Sequence, residues 1–270
     1  MGGVKKVYLI DNSTEDIDLA SITTLDNSIS YITNQGNKGI AFALNVAAEH
    51  AERDGFEWLI QLDQDSIPPV EMPEVYSNII NNIDNNVGIV CCSHVDNQSL
   101  QCGNLGVLED VLLPITSGSA IRLKALRTIG MYDSKLFIDG VDHDISIRLQ
   151  LAGYRIIKVK EMYLNHNLGD VSTISLAGMK IHNNLGHSPM RYYYIMRNYS
   201  YLKNKYANTI FITQPEFNLN MIKKIIIILL FEKNKVKYLL SILAGIIDAH
   251  NNNFRTYEEL CRSNFLLRRL

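Results

Sequence analysis

The chain has 270 residues, of which 47% are hydrophobic and 20% charged, with a formal net charge of -2. This composition excludes a disordered chain and suits one α/β core with an appendage. The small net charge excludes a broad basic surface for nucleic acid. However, residues 203–270 hold 11 Lys+Arg against 5 Asp+Glu, and the rest of the chain holds 15 against 23. A basic tail on an acidic body indicates a separate partner for the tail, such as an anionic membrane surface.

Short apolar segments alternate with helical segments in the first half of the chain. The predicted strands are residues 7–10, 30–33, 58–62 and 87–92, and the predicted helices are residues 40–53 and 72–83. This alternation favours a mostly parallel open sheet that runs through all of these strands. Ligands bind beyond the carboxyl ends of the strands in such sheets. Polar clusters follow three of the strands: Asp11, residues 34–38, and residues 63–65.

The second half of the chain is predicted to be richer in helix. Residues 120–129 and 143–152 have helical patterns, and residues 154–159 form a strand between the second helix and the polar residues near 166. From about residue 192 the chain is helical and basic. We therefore place a domain boundary near residue 202, which gives a catalytic domain at 1–202 and a helical basic region at 203–270.

The cysteines and the start of the sequence favour a cytoplasmic protein. Cys91 and Cys92 are adjacent in one apolar run, where they would point to opposite faces of a strand and make poor disulfide partners. A zinc site formed by Cys91, His94 and Cys102 matches no standard ligand spacing, so reduced thiols are the favoured interpretation. No apolar signal segment precedes the first strand, and no stretch reaches the ~20 apolar residues of a membrane-spanning helix.

The sequence Asp63-Gln64-Asp65 ends a strongly apolar strand. Two carboxylates separated by one residue can bind a hard divalent cation through oxygen. Such a cation can neutralise the two phosphates of a nucleotide diphosphate and so stabilise a leaving group. Alone the pattern is weak, because most Asp-x-Asp sequences are solvated turns or helix caps.

A second acidic cluster, Asp142-His143-Asp144, begins a predicted helix. Asp144 and Arg148 stand at i and i+4, so an ion pair between them is at least as well supported as a catalytic role. Asp142 is either an N-cap or a general base that takes a proton from a hydroxyl. His166, which follows the last strand, is either a hydrogen-bonded structural residue or a metal ligand.

In their order along the chain, these clusters resemble family 2 glycosyltransferases. The matching elements are residues 7–13, residues 34–45, residues 62–65, Ser117-Gly118, Asp142-x-Asp144 with Arg148, Gly153-Tyr154, and His166-x-Leu168-Gly169. Within this family, the sequence most resembles the rhamnosyltransferase branch. The residues that carry this resemblance are Gln64, Phe137-Ile138-Asp139, and Arg191-Tyr192-Tyr193 with Arg197-Asn198. The resemblance covers residues 4–202 and implies a GT-A fold, which is a Rossmann-like open sheet flanked by helices.

The resemblance also implies roles for individual residues. A nucleotide-sugar site would comprise Asp11 at the pyrimidine base, Asn34 and Lys38 in a loop near the nucleotide, Asp63 at the ribose or sugar, and Asp144. A divalent cation, Mg²⁺ or Mn²⁺, would be held by Asp65 with Asp63 and His166. Asp142 matches the catalytic base. The implied reaction is an inverting displacement at the anomeric carbon, with one base and no covalent intermediate.

Two departures from the family pattern keep alternatives open. Val141 stands where the family usually has a Glu before the catalytic Asp, and Asp139 or Asp144 would have to compensate. The family's usual first strand and helix have no counterpart, so we expect residues 7–10 to lie beside the gap where that strand would be. The chain is then either truncated or a degraded, non-catalytic relative that binds nucleotide.

The implied donor is dTDP-L-rhamnose, and another NDP-hexose is the nearest rival. The family points to a growing surface polysaccharide such as O-antigen, on a lipid carrier, as the acceptor. The tail contains two apolar stretches, 221–231 and 236–247, each too short to span a bilayer. They form either a hairpin packed as ordinary core or a peripheral attachment, with lysines and Arg262, Arg268 and Arg269 facing anionic head groups.

Overall fold

The computed structural model describes residues 4–14, 28–95, 107–166, 172–176, 179–184, 187–207, 209, 223, 225, 226, 228–230, 232 and 234–269. The chain divides into two compact units. The first comprises Met1–Ser134 and Val141–Leu168, and the second comprises Lys135–Gly140 and Gly169–Leu270. The first unit contains 11 Lys+Arg and 21 Asp+Glu, whereas the second contains 15 and 7, so the charge asymmetry of the sequence follows the division into units.

The first unit begins with two parallel strands, β1 (Val7–Asp11) and β2 (Ile29–Thr33), paired so that Asp11 lies opposite Thr33. Helix α1 (Ile40–Arg53) follows, with the bounds that the sequence predicted. Its small, buried side chains are all alanines, which let the helix lie close to the strands: Ala41, Ala47, Ala48 and Ala51. This strand–strand–helix segment forms the amino-terminal part of the candidate site.

The larger sheet of the first unit has six strands in the order β3-β7-β5-β8-β4, with β6 also paired to β8. The strands are β3 (Trp58–Gln61), β4 (Ser66–Ile67), β5 (Val87–Val95), β6 (Leu108–Asp110), β7 (Ser119–Arg122) and β8 (Arg155–His166). Strands β3, β5 and β8 run in the same direction, and the short strands β4, β6 and β7 run against them. The sheet is therefore mixed, with its long strands parallel.

The two sheets of the first unit are hydrogen-bonded separately, which differs from the single sheet expected from sequence. Among the described residues, β1 pairs with β2 alone and β3 pairs with β7 alone. Helix α1 contacts both β1 and β3 and so holds the two sheets in one unit. In the described part of the chain, no strand joins β1 to β3 through hydrogen bonds.

Three further helices cover the six-stranded sheet: α2 (Met72–Ile80), α3 (Leu123–Thr128) and α4 (Val141–Leu151). Met72 and Tyr76 of α2 pack on a core built from β5, β7 and β8, including Val90, Ala120 and Leu164. The Tyr76 hydroxyl donates a hydrogen bond of 2.5 Å to the carbonyl of Gly118. This buried layer fixes the end of β3 and the start of β7, where the Asp-x-Asp motif lies.

The helix predicted at 120–129 is only partly present. Its first residues belong to β7, which lies between β3 and β5 and is antiparallel to both, and the helix α3 begins at Leu123. Ala120 and Ile121 are fully buried there. A short run of small and apolar residues fits either state locally, and the pairing on both sides decides for the strand.

Among its described residues, the second unit contains a hairpin and four continuous helices. They are β9 (Ser172–Leu176), β10 (Met179–Asn184), α5 (Pro189–Lys205), α6 (Lys235–His250), α7 (Tyr257–Ser263) and α8 (Phe265–Arg269). Helix α5 packs closely on α6, because Gly245 has no side chain: a Cβ there would lie 2.5 Å from the carbonyl oxygen of Tyr193. This packing places α5 with the C-terminal helices, so the compact units do not follow the boundary at residue 202, which stays a prediction.

A buried arginine joins the parts of the second unit. Arg197 donates hydrogen bonds of 2.8 Å and 2.9 Å to the carbonyls of Arg255 and Lys135, and its guanidinium lies over the rings of Tyr193 and Tyr194. Its neighbour Asn198 donates to the carbonyls of Ile138 and Asp139. Within the described ranges, none of the helices has the length and apolarity that a bilayer crossing requires.

Candidate active site

The first element of the site is the carboxylate of Asp11 at the end of β1. It accepts a hydrogen bond from the Tyr31 hydroxyl and another, of 2.8 Å, from the backbone amide of Ser13. The Tyr31 hydrogen bond, followed by those from Ser13, lowers the pKa of Asp11 below its ordinary value. Asp11 is therefore a fixed, charged acceptor at neutral pH.

Asn12 organises the loop between β2 and α1. Its side-chain oxygen accepts hydrogen bonds from the Asn34 side chain, at 3.2 Å, and from the Lys38 backbone amide, at 3.1 Å. Its side-chain nitrogen donates to Asn37 at 3.1 Å. Asn34 is buried, and its backbone amide donates to the Asp11 carbonyl. The network joins Asp11, Asn34 and Lys38, three predicted site residues, into one structure.

The Asp-x-Asp motif lies between β3 and β4. Asp63 and Asp65 are both solvent-exposed, and the backbone of the motif is held from below by the buried Ser117. The Ser117 hydroxyl accepts a hydrogen bond from the Asp63 amide at 3.0 Å and lies 2.8 Å from the Ser66 hydroxyl. The backbone is thus anchored while both carboxylates reach the surface.

Gly118 is required beside this anchor. Its φ of +76° is in the left-handed region, and a Cβ would lie 2.7 Å from the Cys92 sulfur and 3.0 Å from a Leu164 methyl group. The backbone amide of Gly118 donates to the Gln61 carbonyl at 2.7 Å. The Ser117-Gly118 pair therefore supports the end of β3, directly before the acidic motif.

Strand β4 brings the backbone of His166 beside the acidic motif. Ser66, the residue after Asp65, lies opposite His166 in the antiparallel pair of β4 and β8. The side chain of His166 is outside the described part of the structure. Among the side chains that are described, no three His, Cys, Asp or Glu groups form a ready metal cluster. The pairing is compatible with a shared role for Asp65 and His166, and the role stays a prediction.

The second acidic motif gives two carboxylates with different surroundings at the start of α4. Asp144 is buried, with 1% of its side chain exposed, and it accepts a 2.8 Å hydrogen bond from the Arg148 Nε. Arg148 also donates to the carbonyls of Ile129 and Met131, each at 2.7 Å. The i, i+4 ion pair considered from sequence is present, so the Asp144 carboxylate is engaged within the protein interior.

Asp142 keeps 28% of its side chain exposed. Its Oδ1 accepts the His143 backbone amide at 2.9 Å and lies 3.0 Å from the His143 Nδ1. Burial acts to raise the pKa of Asp142, but the hydrogen bond and charge of His143 outweigh it, and the net pKa is lowered. The hydrogen bond to Asp142 raises the pKa of His143 in turn. Asp142 is consequently an accessible carboxylate that stays charged at neutral pH.

Comparison with known proteins agrees with this geometry. Residues 2–100 match the family model described as glycosyl transferase family 2. The chain superimposes on the crystal structure of Staphylococcus aureus TarS 1–349 with a TM-score of 0.57, at 13% identity, over 92% of this chain and 72% of that one. It is also 25% identical over 257 residues to the dTDP-rhamnosyl transferase RfbF of Shigella flexneri, covering 90% of this chain and 85% of RfbF.

The matches identify the chain as a glycosyltransferase with a GT-A fold, similar in sequence to a dTDP-rhamnosyl transferase. A further structure of the same fold is that of GalNAc-T7 with UDP, GalNAc and Mn²⁺, with a TM-score of 0.54 and 15% identity, over 74% of this chain and 42% of that one. The predicted fold class, a GT-A sheet flanked by helices with C-terminal helices, is confirmed.

The described contacts join the predicted site residues of the transferase into three groups. Asp11, Asn34 and Lys38 form one, the Asp63–Asp65 motif with Ser117 forms the second, and Asp142 with His143 forms the third. The convergence of these groups in one cleft stays a prediction. Of the zinc candidates, Cys102 is outside the described residues, Cys91 is buried with its pKa raised by burial to about 12, and His94 Nε2 lies 2.8 Å from the Ser117 carbonyl.

Sequence analysis of the transferase missed two supporting residues, Asn12 and Tyr31. Asn12 lies within residues 7–13 of the family resemblance and has no predicted role of its own, yet it links β1 to the loop before α1. Tyr31 was seen only as a strand residue, yet it charges and orients Asp11. Neither contact has a local sequence signal; the parallel register, in which Leu9 lies opposite Tyr31, brings the tyrosine beside the end of β1.

Proposed function

We propose that the chain is an inverting, metal-dependent transferase that moves L-rhamnose from dTDP-rhamnose to a saccharide acceptor. The observation that carries the reaction type is the contrast on α4: Asp142 is accessible and charged, whereas Asp144 is buried in an ion pair. One accessible carboxylate suits a single displacement that needs one base. The likeness to RfbF over most of both chains supports rhamnose as the transferred sugar.

Asp11 would bind the pyrimidine base of the donor. Because Tyr31 and Ser13 lower its pKa, Asp11 stays ionised, and an ionised carboxylate forms a charge-assisted hydrogen bond with the ring N–H of thymine. Asn34 and Lys38 would lie near the ribose and phosphates, because the Asn12 network fixes both beside Asp11. The Lys38 ammonium, which lies 5.0 Å from the centre of the Phe42 ring, adds a positive charge to this side of the site.

Asp65, with Asp63 and His166, would hold a divalent cation, and Asp63 would also contact the ribose or sugar. Exposed carboxylate oxygens at a strand end fit Mg²⁺ or Mn²⁺, which prefer oxygen ligands. When bound, the cation would offset the charge of the departing diphosphate. The Mn²⁺ present with UDP in the GalNAc-T7 structure supports this proposal by analogy of fold.

Asp142 would take the proton from the acceptor hydroxyl as its oxygen attacks the anomeric carbon. The His143 amide and ring both contact Oδ1, which orients the carboxylate. Because this base serves the acceptor and forms no bond to the sugar, the configuration at the anomeric carbon is inverted in one step. Asp144 would support the site indirectly, since Arg148 ties it to the segment before α4.

The acceptor would be a growing surface polysaccharide on a lipid carrier, at the cytoplasmic face of the membrane. We propose this acceptor because of the similarity to a dTDP-rhamnosyl transferase and because the second unit is basic. A donor with another sugar or nucleotide, such as a UDP-hexose, is the alternative within the same site chemistry.

The test is release of the nucleotide diphosphate from dTDP-rhamnose and from UDP-hexoses, with Mn²⁺, with Mg²⁺ and with chelator. We expect turnover of dTDP-rhamnose that requires the cation. Turnover of a UDP-hexose but not of dTDP-rhamnose would identify the UDP-hexose as the donor. A folded protein that binds dTDP but turns over no donor would instead identify a non-catalytic nucleotide-binding relative, in line with the separated β1–β2 sheet.

A further inference from the structure

Helix α6 carries an apolar stripe on its outer side. Val236, Leu243 and Ile247 are more than half exposed, at 58%, 55% and 56%, and Ile246 is 39% exposed. The first three stand at i, i+7 and i+11, which places them on one line along the helix. The opposite side of α6 is already packed, because Tyr238 and Ile242 lie in a buried cluster with Tyr192. The stripe is therefore a second apolar face that the described part of the fold does not cover.

Two neighbouring segments of the second unit repeat this arrangement. In the helical residues at 223, 225, 226 and 228–230, Ile228 packs in the same cluster as α6, while Ile226, Leu229 and Leu230 are exposed. Helix α8 contacts α6 and buries Leu267, while Phe265 and Leu266 are 63% and 58% exposed. Isolated exposed apolar residues are ordinary, but three adjoining helical segments that all expose them indicate a surface with a partner.

Several positive charges accompany these residues. Lys235 stands at the start of α6 beside Val236, Lys223 begins the preceding helical residues, and Arg268 and Arg269 end α8. The one acidic residue of α6, Asp248, is buried and bound by Arg255, so the stripe itself contains no carboxylate. An apolar stripe that contains no carboxylate and is accompanied by cationic side chains complements an anionic, partly apolar partner.

We propose that this surface, formed by the α6 stripe with the exposed residues of 226–230 and α8, rests on an anionic lipid bilayer. A bilayer interface offers both required features, since acyl chains accept the apolar side chains and head groups accept the lysines and arginines. Helix α6 has 16 residues, too few to span a bilayer, and an amphipathic helix of this kind lies in the plane of the interface.

A second copy of the chain is the less favoured occupant. In a self-interface, the cationic side chains of one copy would face those of the other, and the α6 stripe contains no carboxylate to pair with them. The membrane proposal is also independent of the transfer reaction. Binding to vesicles needs no donor, so failure of the proposed function and failure of this proposal are separable.

The test is flotation of the full chain with vesicles of phosphatidylcholine alone and of phosphatidylcholine with phosphatidylglycerol. We expect binding to the anionic vesicles at low salt, and loss of binding as salt screens the head groups. Leu243→Glu with Ile247→Glu should lower the partition coefficient by about tenfold or more, because two apolar side chains that would enter the interface are replaced by charges that it repels.

The matched control is Leu112→Glu, an equally exposed leucine of the first unit, at 62%, which should leave flotation unchanged. Circular dichroism of each variant checks that the second unit remains folded. Light scattering of the free chain separates the two occupants. Equal flotation of wild type and the α6 variant would overturn the proposal. A dimer that the α6 variant dissociates, in a protein that binds neither kind of vesicle, would overturn it too, and would assign the stripe to self-association.

Discussion

The two acidic motifs of the transferase have the same spacing of carboxylates but opposite environments. In Asp63-Gln64-Asp65, at a strand end, both carboxylates are exposed and the backbone beneath them is anchored by Ser117. In Asp142-His143-Asp144, at a helix start, one carboxylate is accessible and the other is 1% exposed against Arg148.

The difference follows from the geometry of the two elements. On a helix, residues two positions apart point about 200° apart, so one of the pair faces the core when the other faces the cleft. At a strand end the chain leaves the sheet, and both side chains can point toward solvent. An Asp-x-Asp on a strand end can therefore offer two carboxylates to a ligand, whereas on a helix it offers one accessible carboxylate and one structural carboxylate.

The largest effect is expected for Asp142→Asn. The variant should lose transfer by on the order of 10² to 10⁴ in kcat, because a positioned base is removed, while donor binding stays nearly intact. Initial rates and calorimetric titration with dTDP measure the two quantities separately. Asp110→Asn is the control, since Asp110 is an exposed carboxylate that pairs with Arg155 and has no proposed role in the site. Near-normal turnover by Asp142→Asn would contradict its assignment as the base.

The other carboxylate of α4 should affect stability. Asp144→Ala leaves Arg148 without its buried partner, so we expect the free energy of unfolding to fall by about 3 to 5 kcal/mol in urea denaturation. Asp110→Ala removes a solvent-exposed partner of Arg155 and should cost about 1 kcal/mol or less. Equal effects of the two changes would show that Asp144 is not the structural member of its motif.

Much of this contrast could be predicted from sequence. The i, i+4 spacing indicated the Asp144–Arg148 pair, and α1 was predicted with its observed bounds, because a long periodic pattern with a glycine after it is a strong local signal. Strands 7–10, 30–33, 58–62 and 87–92 each appear within a few residues of their predicted bounds.

The features that the sequence did not predict depend on contacts between distant parts of the chain. β6 has only three residues and is held by pairing with β8, where Glu109 meets Lys158 and Lys160. β7 is a strand because β3 and β5 lie on either side of it. The Ser117 anchor likewise reaches Asp63 from 54 residues away, a contact that no local pattern encodes. The order of the motifs identified Ser117 as a matching residue, but its hydrogen bond with the Asp63 amide is seen only in the fold.

At the strand-end motif, Asp65→Ala should weaken cation-dependent donor binding by at least about tenfold, because an oxygen ligand is lost. Stability should change by no more than about 0.5 kcal/mol, since Asp65 is exposed. Titration of dTDP binding with Mn²⁺ measures the first effect and urea denaturation the second. Glu71→Ala, which removes another exposed carboxylate before α2, is the control. Unchanged Mn²⁺ dependence in Asp65→Ala would remove Asp65 from the metal site.

The smallest effect is expected for His143→Gln, a shift in pH dependence. His143 lowers the pKa of Asp142, so activity that needs the carboxylate persists to lower pH and is lost as the pH falls through that pKa. Glutamine removes the charge and the ring contact, the pKa of Asp142 rises, and the acid limb of kcat/KM should move to higher pH.

The same pair sets a window of stability. Because its pKa is lowered, Asp142 stabilises the folded state at pH values above the pKa of the unfolded carboxyl. Because its pKa is raised, His143 stabilises the folded state at pH values below the pKa of the unfolded imidazole. The pair is therefore strongest between about pH 4 and 6.5. Lys124→Gln, which removes an exposed charge from α3, should leave both the acid limb and this window unchanged. If His143→Gln leaves the acid limb in place, that limb reports a group other than Asp142, and the helix-start motif loses its accessible base.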